Sequence, residues 1–265
     1  MIPKIIHYCW FGGNPLTESI KKNIETWKFF NPEYEIKEWN ESNCNLTVNA
    51  FVREAYANKK WAFVSDYIRV QKVYEYGGFY LDTDMEVTSS FEDLLIYECV
   101  CGFEMLNKPF SAFFGARNKH VFVEDMLNYY ERQKEFIQLP NTNIFSKLLI
   151  EKYNVNPLSD SFQLVKDNVA VFPSTAFSLD IPKNYVIHHF DGSWIETEQS
   201  FFKRYVNMYG ILNQLVSAEK SKESINHLIY HNKIFTTEQI LDKIPMKFIV
   251  QYMLSQLKNK ILRRN

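Results

Sequence analysis

Residues 74–87 read YEYGGFYLDTDMEV. The pair Gly77-Gly78 stops the segment before it, because glycine enters left-handed backbone conformations without a Cβ penalty. The apolar run at 79–81 then reads as a short strand, with Asp82 and Asp84 at its carboxyl end. Ligands of open α/β sheets bind outside the carboxyl ends of the strands, so this stretch puts two carboxylates where such a fold does its chemistry. Residues i and i+2 of an extended segment project to the same side. Two carboxylates so placed can reach one cation, directly or through water.

The segments upstream supply the α/β frame. Residues 4–10, KIIHYCW, read as a buried strand stopped by Gly12-Gly13-Asn14-Pro15. Thr17 is placed to cap a helix whose Ile20, Ile24 and Trp27 follow helical spacing until Asn31-Pro32 ends it. YEIKEW at 34–39 alternates as a second strand, with Tyr34 and Ile36 on one face. Strand, helix, strand predicts a sheet with crossover connections. Helices are expected at about 49–59 and from about Ala62 to Tyr76, the second with Phe63, Tyr67, Val70, Val73 and Tyr74 as its apolar stripe. Downstream, CVCGFEM and PFSAFFGA read as strands and 119–137 as a helix. VAVFPSTAF and NYVIHHF read as two more strands, the latter running into DGSW, and the pattern turns helical from about Ser200. No internal repeat or low-complexity segment interrupts it.

The 265 residues are 46% hydrophobic and 23% charged, as in an ordinary globular chain, and a net charge of −1 gives no field favouring nucleic acid. Cys9, Cys44, Cys99 and Cys101 lack C-x-x-C spacing and a nearby His suited to zinc, so they read as reduced thiols filling the core. The N-terminus has a single Lys and no long apolar run, and no uninterrupted apolar stretch approaches 18 residues; neither a signal peptide nor a membrane span is expected.

For the carboxylate pair, hard oxygen ligands point to Mg²⁺ or Mn²⁺, with phosphate oxygens completing the shell. Such an ion would neutralise a diphosphate leaving group, which fits a nucleotide-sugar transferase. The sequence Met85-Glu86 after the pair lacks the glycine of an EF-hand loop. An aspartyl-phosphate phosphotransferase is an alternative, although Glu86 stands where that pattern wants Thr or Val and no later Asp pair follows. A non-catalytic carbohydrate-binding protein and a plain solvated turn are further readings. Asp66 and Arg69 lie three apart on one helix face; they form either a surface ion pair or a fork and an acceptor aimed at sugar hydroxyls. In IHHFDGSW, 187–194, one His is a candidate third metal ligand, and Trp10 offers an aromatic face to a base unless it is core.

Together, IPKIIHYCWFGG, FVSDYIR, YGGFYLDTD and HHFDGSW resemble the DXD-containing sugar transferases typified by the yeast initiating α-1,6-mannosyltransferase and bacterial capsule enzymes, and distantly the glucosylating domains of large clostridial toxins. The likeness runs from residue 2 to about 195. It implies a GT-A fold, meaning one Rossmann-like α/β domain with a mixed central sheet, here over 1–200; the helical pattern beyond it is read as an extension over 201–265. It also implies a retaining hexosyltransferase using Mn²⁺ or Mg²⁺ and a UDP- or GDP-hexose, with a glycan acceptor, lipid-linked or free. In that likeness Trp10 stacks on the nucleobase, while Asp66 and Arg69 hold the donor sugar. Asp82 contacts the ribose and the metal shell, and Asp84 ligates the metal. His188 matches the metal-proximal position better than His189, and Ser193 and Trp194 close over the diphosphate. Ser111, and Phe145-Ser146 where relatives carry Gly-Pro, depart from the pattern on the acceptor side.

The tail 243–265 carries Lys243, Lys247, Lys258, Lys260, Arg263 and Arg264 without an acid. Phe248, Met253, Leu254, Leu257, Ile261 and Leu262 recur there at helical spacing. This reads either as a docked terminal helix or as an interfacial helix drawn to anionic lipid. The expected location is therefore the cytoplasm, at the inner face of the membrane if the tail binds it.

Overall fold

The computed structural model describes residues 1–105, 107–178, 184–191 and Val250. Apart from Val250, these belong to the first of two units into which the chain divides, Met1–Asn213. The expected extension over 201–265, the basic tail included, lies outside the described residues except for Val250.

The opening β-α-β is present. β1 (Ile5–Cys9) leads to α1 (Glu18–Phe30), and the Thr17 side chain accepts from the Ile20 N–H at the helix start. α1 ends at Asn31 and returns to β2 (Glu35–Trp39), which pairs in parallel with β1. α2 (Ala50–Ala57) is capped by the Asn49 side chain, and α3 (Trp61–Tyr76) ends on Gly77. Gly77 and Gly78 both have positive φ, +69° and +104°. A Cβ on Gly78 would stand 2.6 Å from the Ile5 carbonyl oxygen, so the turn that launches the next strand tolerates no side chain there.

That strand is β3 (Gly78–Tyr80), followed by β4 (Met85–Val87), β5 (Cys99–Gly102) and β6 (Phe114–Ala116). α4 (Val121–Glu131) and α5 (Asn141–Tyr153) come next. β7 (Gln163–Val165), β8 (Val169–Phe172), α6 (Ser174–Phe177) and β9 (Val186–His188) complete the described unit. Seven strands form one sheet in the order β2-β1-β3-β6-β5-β8-β7. β1, β2 and β3 run parallel, as do β5 and β8, whereas β6 is antiparallel to both its neighbours and β7 to β8. This is the α/β domain with a mixed central sheet that the resemblance implies. β4 and β9 make a separate antiparallel pair.

Alternation along the strands feeds two cores. Tyr80, Cys99, Cys101 and Phe103 face α3, α4 and α5, while Phe79, Leu81 and Val100 face α1 and α6. Among the described residues no helix is long and apolar enough to cross a membrane.

Three local expectations change. The helix expected over 119–137 stops at Glu131, because the Phe136 N–H donates to the Glu54 carboxylate and its ring packs on Phe51 and Phe63. VAVFPSTAF is a strand only as far as Phe172; Pro173 turns the rest into α6. β4, β7 and α5 are elements beyond those expected.

Candidate functional site

The second half of YLDTD is a turn held from behind by α1. The Met85 N–H bonds the Asp82 carbonyl at 3.1 Å, closing the turn. Asn23 Nδ2 donates to the Thr83 carbonyl at 2.9 Å, Trp27 Nε1 to the Met85 carbonyl at 2.8 Å, and the Val87 N–H to Thr26 Oγ1 at 3.0 Å. The turn therefore has no freedom to slide along the strand, and Asp82 and Asp84 are presented in fixed directions.

Asp82 points toward α3. Tyr80 Oη donates to its Oδ1 at 2.8 Å, and Arg69 reaches Oδ1 at 3.1 Å through Nη2 and Oδ2 at 3.4 Å through Nη1. The same Nη2 lies 3.2 Å from Asp66 Oδ1, and the guanidinium sits 4.4 Å from the Tyr80 ring centroid. Asp66 and Arg69 are only 6% and 5% exposed, so the pair is a buried structural node and not a solvated surface bridge. Burial pushes the Asp66 carboxyl up to about 7; Arg69 pulls the other way, and an Asn141 backbone N–H also stabilises the ionised form.

Asp84 points instead toward β9. Its Oδ1 lies 3.4 Å from His188 Nε2, and its Oδ2 accepts from the Asp191 N–H at 2.9 Å. Burial alone would raise this carboxyl, but the His188 charge and these hydrogen bonds hold it well below the usual carboxylate range. His188 shifts upward: burial opposes its charge, and Asp84 overrides the burial. The two adjacent histidines part company here. His189 turns away to Glu86 at 3.1 Å, leaving His188 facing the aspartates.

Ligand atoms of Asp82, Asp84 and His188 all lie within 4.8 Å of one another. These residues fit a hard or borderline divalent ion: two carboxylates and an imidazole are suitable donors, and the buried His188 Nδ1 has no hydrogen-bond partner among the described residues. Asp66 and Arg69 adjoin the triad through Asp82. Trp10 is not part of that cluster. It follows β1, half-buried, and its Nε1 donates to the Asn14 carbonyl at 2.6 Å. Ser193 and Trp194 lie outside the described residues.

Three contributors escaped the sequence reading. Tyr80 shares a strand face with Asp82, and the i, i+2 rule could have flagged it. Asn23 and Trp27 grip the turn from α1, which no local pattern announces.

Residues 17–101 match the family described as the glycosyltransferase sugar-binding region containing the DXD motif. Among curated proteins none matches the chain. Solved structures with similarity include the PaToxG glycosyltransferase, at 17% identity over 57% of this chain and 69% of that one, TM-score 0.45. A glycosyltransferase involved in glycosylation of the major capsid of PBCV-1 matches at 11% identity over 77% and 99%, TM-score 0.38. The galactosyltransferase LgtC, solved with donor and acceptor sugar analogs, matches at 12% over 66% and 73%, TM-score 0.32. The segment that holds α1, α3 and both aspartates of the turn is thus the one that is similar to the DXD-containing sugar-binding region of glycosyltransferases.

Proposed function

We propose that the chain is a metal-dependent, retaining glycosyltransferase that moves a hexose from a UDP- or GDP-hexose to a glycan acceptor. Synthesis of a capsular or other surface polysaccharide, at the cytoplasmic face of a membrane, is the setting we assign to it. The observation that carries the reading is the convergence of Asp82, Asp84 and His188 at the carboxyl end of β3, inside and beside the matched segment.

Asp82, Asp84 and His188 would hold Mn²⁺ or Mg²⁺. When bound, that ion supplies positive charge for a departing nucleoside diphosphate. Arg69 fixes the Asp82 carboxylate from one side and Tyr80 from the other, so the carboxylate needs little reorganisation on binding. Asp66 offers acceptor atoms and Arg69 donor atoms to sugar hydroxyls. In the same-face route, the acceptor oxygen bonds the anomeric carbon on the side from which the phosphate leaves. The C–O bond to the phosphate breaks, and the hydroxyl proton passes to the departing phosphate.

An aspartyl-phosphate mechanism is the weaker reading, since Glu86 stands where that pattern wants Thr or Val and no later Asp pair follows. The test is a panel of UDP- and GDP-hexoses with Mn²⁺, scoring donor hydrolysis in the absence of acceptor. One donor should be turned over, EDTA should stop it, and Asp84→Ala should lower it roughly 100-fold or more. Undiminished turnover by Asp84→Ala overturns the reading.

A further inference from the structure

Among the described residues, Glu104 is a further half-buried carboxylate within the electrostatic reach of Asp82 and His188, and the route above does not use it. Glu104 follows β5, its side chain 13% exposed, much as the side chains of Asp84 at 17% and His188 at 9%. Cys99, Cys101 and Phe103 face α3 and Glu104 lies two residues past the end of β5, while Val100 faces the other side of the sheet. Gly102 on that side meets the Phe177 ring of α6. One serine ties Glu104 to the metal-facing histidine. Ser178 Oγ donates to the Glu104 carbonyl at 3.1 Å, and the Ser178 carbonyl accepts from the His188 N–H at 3.0 Å.

The carboxylate is held in a tight turn. The Glu104 N–H donates to the Lys108 carbonyl at 2.9 Å, Met105 bridges Lys108, and Lys108 Nζ stands 3.7 Å from Glu104 Oε2. Burial raises this carboxyl; Lys108 and His188 counter the rise and Asp82 adds to it, as befits a group sharing the field of the metal centre. Packing gives the side chain little reason to be there, since its ion pair among the described residues is 3.7 Å long to a half-exposed lysine and adds little to the fold.

The two flanks of the centre therefore differ. Asp66 and Arg69 approach from the α3 side, whereas Glu104 is joined through Ser178 to the end of α6 and to β9. A carboxylate repels a diphosphate and is matched by O–H donors, with the neighbouring ammonium as a donor to hydroxyl oxygens. We propose that Glu104 binds the acceptor: it accepts a hydrogen bond from the hydroxyl next to the attacking one, or from the second O–H of water in hydrolysis. The attacking oxygen is thereby aimed at the anomeric carbon while its own proton remains free to pass to the phosphate. This rests on the glycosyltransferase reading of the same site.

The test uses the full chain, Mn²⁺ and whichever nucleotide-hexose the wild type hydrolyses best. Glu104→Ala should lower kcat for hydrolysis about 100-fold, the scale of a misplaced reactant. Glu104→Gln, which keeps an acceptor oxygen and the side-chain shape, should lie between. Donor KM, Mn²⁺ affinity by calorimetry and the melting temperature of Glu104→Gln should stay at wild-type values. Unchanged kcat in Glu104→Ala overturns the inference, and so does a fall in donor or Mn²⁺ affinity that tracks the fall in kcat. A glycosyl adduct on Glu104 in quenched, digested enzyme overturns it in favour of covalent catalysis. If the wild type hydrolyses no donor, the glycosyltransferase reading falls and this inference falls with it.

Discussion

Two buried polar nodes in this domain are built from similar parts and finished differently. At the first, His7 in β1 is wholly buried; its Nδ1 accepts from Trp39 Nε1 at 3.1 Å and its Nε2 bonds the Gly77 carbonyl at 2.7 Å. Both ring nitrogens are used, which fixes the neutral tautomer with its proton on Nε2. At the second, Arg69 gathers Asp66 and Asp82, yet its surroundings stay incomplete. Among the described residues the Tyr130 hydroxyl, which feels the charges of Asp66 and Arg69, has no hydrogen-bond partner, and neither does Asn141 Nδ2 at the start of α5. Buried polar groups are ordinarily paired, and each exception calls for an explanation. The closed node holds β1, β2 and the glycine turn together; the open node retains polar atoms that no described residue satisfies.

Breaking the Arg69 node should give the largest effect. Arg69→Met leaves two buried or half-buried carboxylates uncompensated and should cost about 3–5 kcal/mol in urea unfolding, with donor hydrolysis abolished. Adding Asp66→Asn to that variant should recover part of the stability and none of the activity. Recovery of activity would erase the distinction between the nodes.

The His7 node should show itself through pH. Burial lowers this imidazole from 6.5 to about 4, although the Gly77 carbonyl opposes the shift. The folded state therefore binds fewer protons than the unfolded chain between those values. Its contribution is fully present above pH 6.5 and drains away as pH falls toward 4, by on the order of 3 kcal/mol. The stability difference between the wild type and His7→Phe should narrow by that amount across this window, and a constant difference would show that His7 titrates normally.

Tyr130→Phe should have the smallest effect and the more telling sign. Removing an unpaired buried hydroxyl leaves no partner stranded, so stability should hold or rise by about 1 kcal/mol. A loss larger than that in thermal unfolding would mean the hydroxyl is already satisfied, and the open node would be closed after all.

Much of the frame was legible because its signals are local. Thr17, Asn31 and Gly77 act where the sequence places them, and Asp82 and Asp84 follow a strand as the glycine pair implies. What escaped depends on distant partners. β4 and β7 are three residues each and exist only through pairing, and the helix expected to 137 is cut short by Glu54, 82 residues upstream of Phe136. α5 is different: Ile144, Phe145, Leu148, Leu149 and Tyr153 carry helical spacing, but the polar Asn-Thr-Asn start after Pro140 masked it. At the site, the aspartates could be read from the stretch itself. The buried state of Asp66 and Arg69, and the divergence of His188 from His189, required the fold.

The small β4–β9 pair sets when the centre can come into being. Its register places Met85 opposite His188, so the residue after Asp84 is zipped to the third member of the triad across about a hundred positions of chain. A polypeptide emerging from the ribosome completes both aspartates early but has no imidazole to set beside them until residue 188 is made. Closing so long a loop is entropically late compared with the β1-α1-β2 unit. A growing or truncated chain that already displays the whole matched segment, 17–101, would thus remain without the third side chain of the cluster.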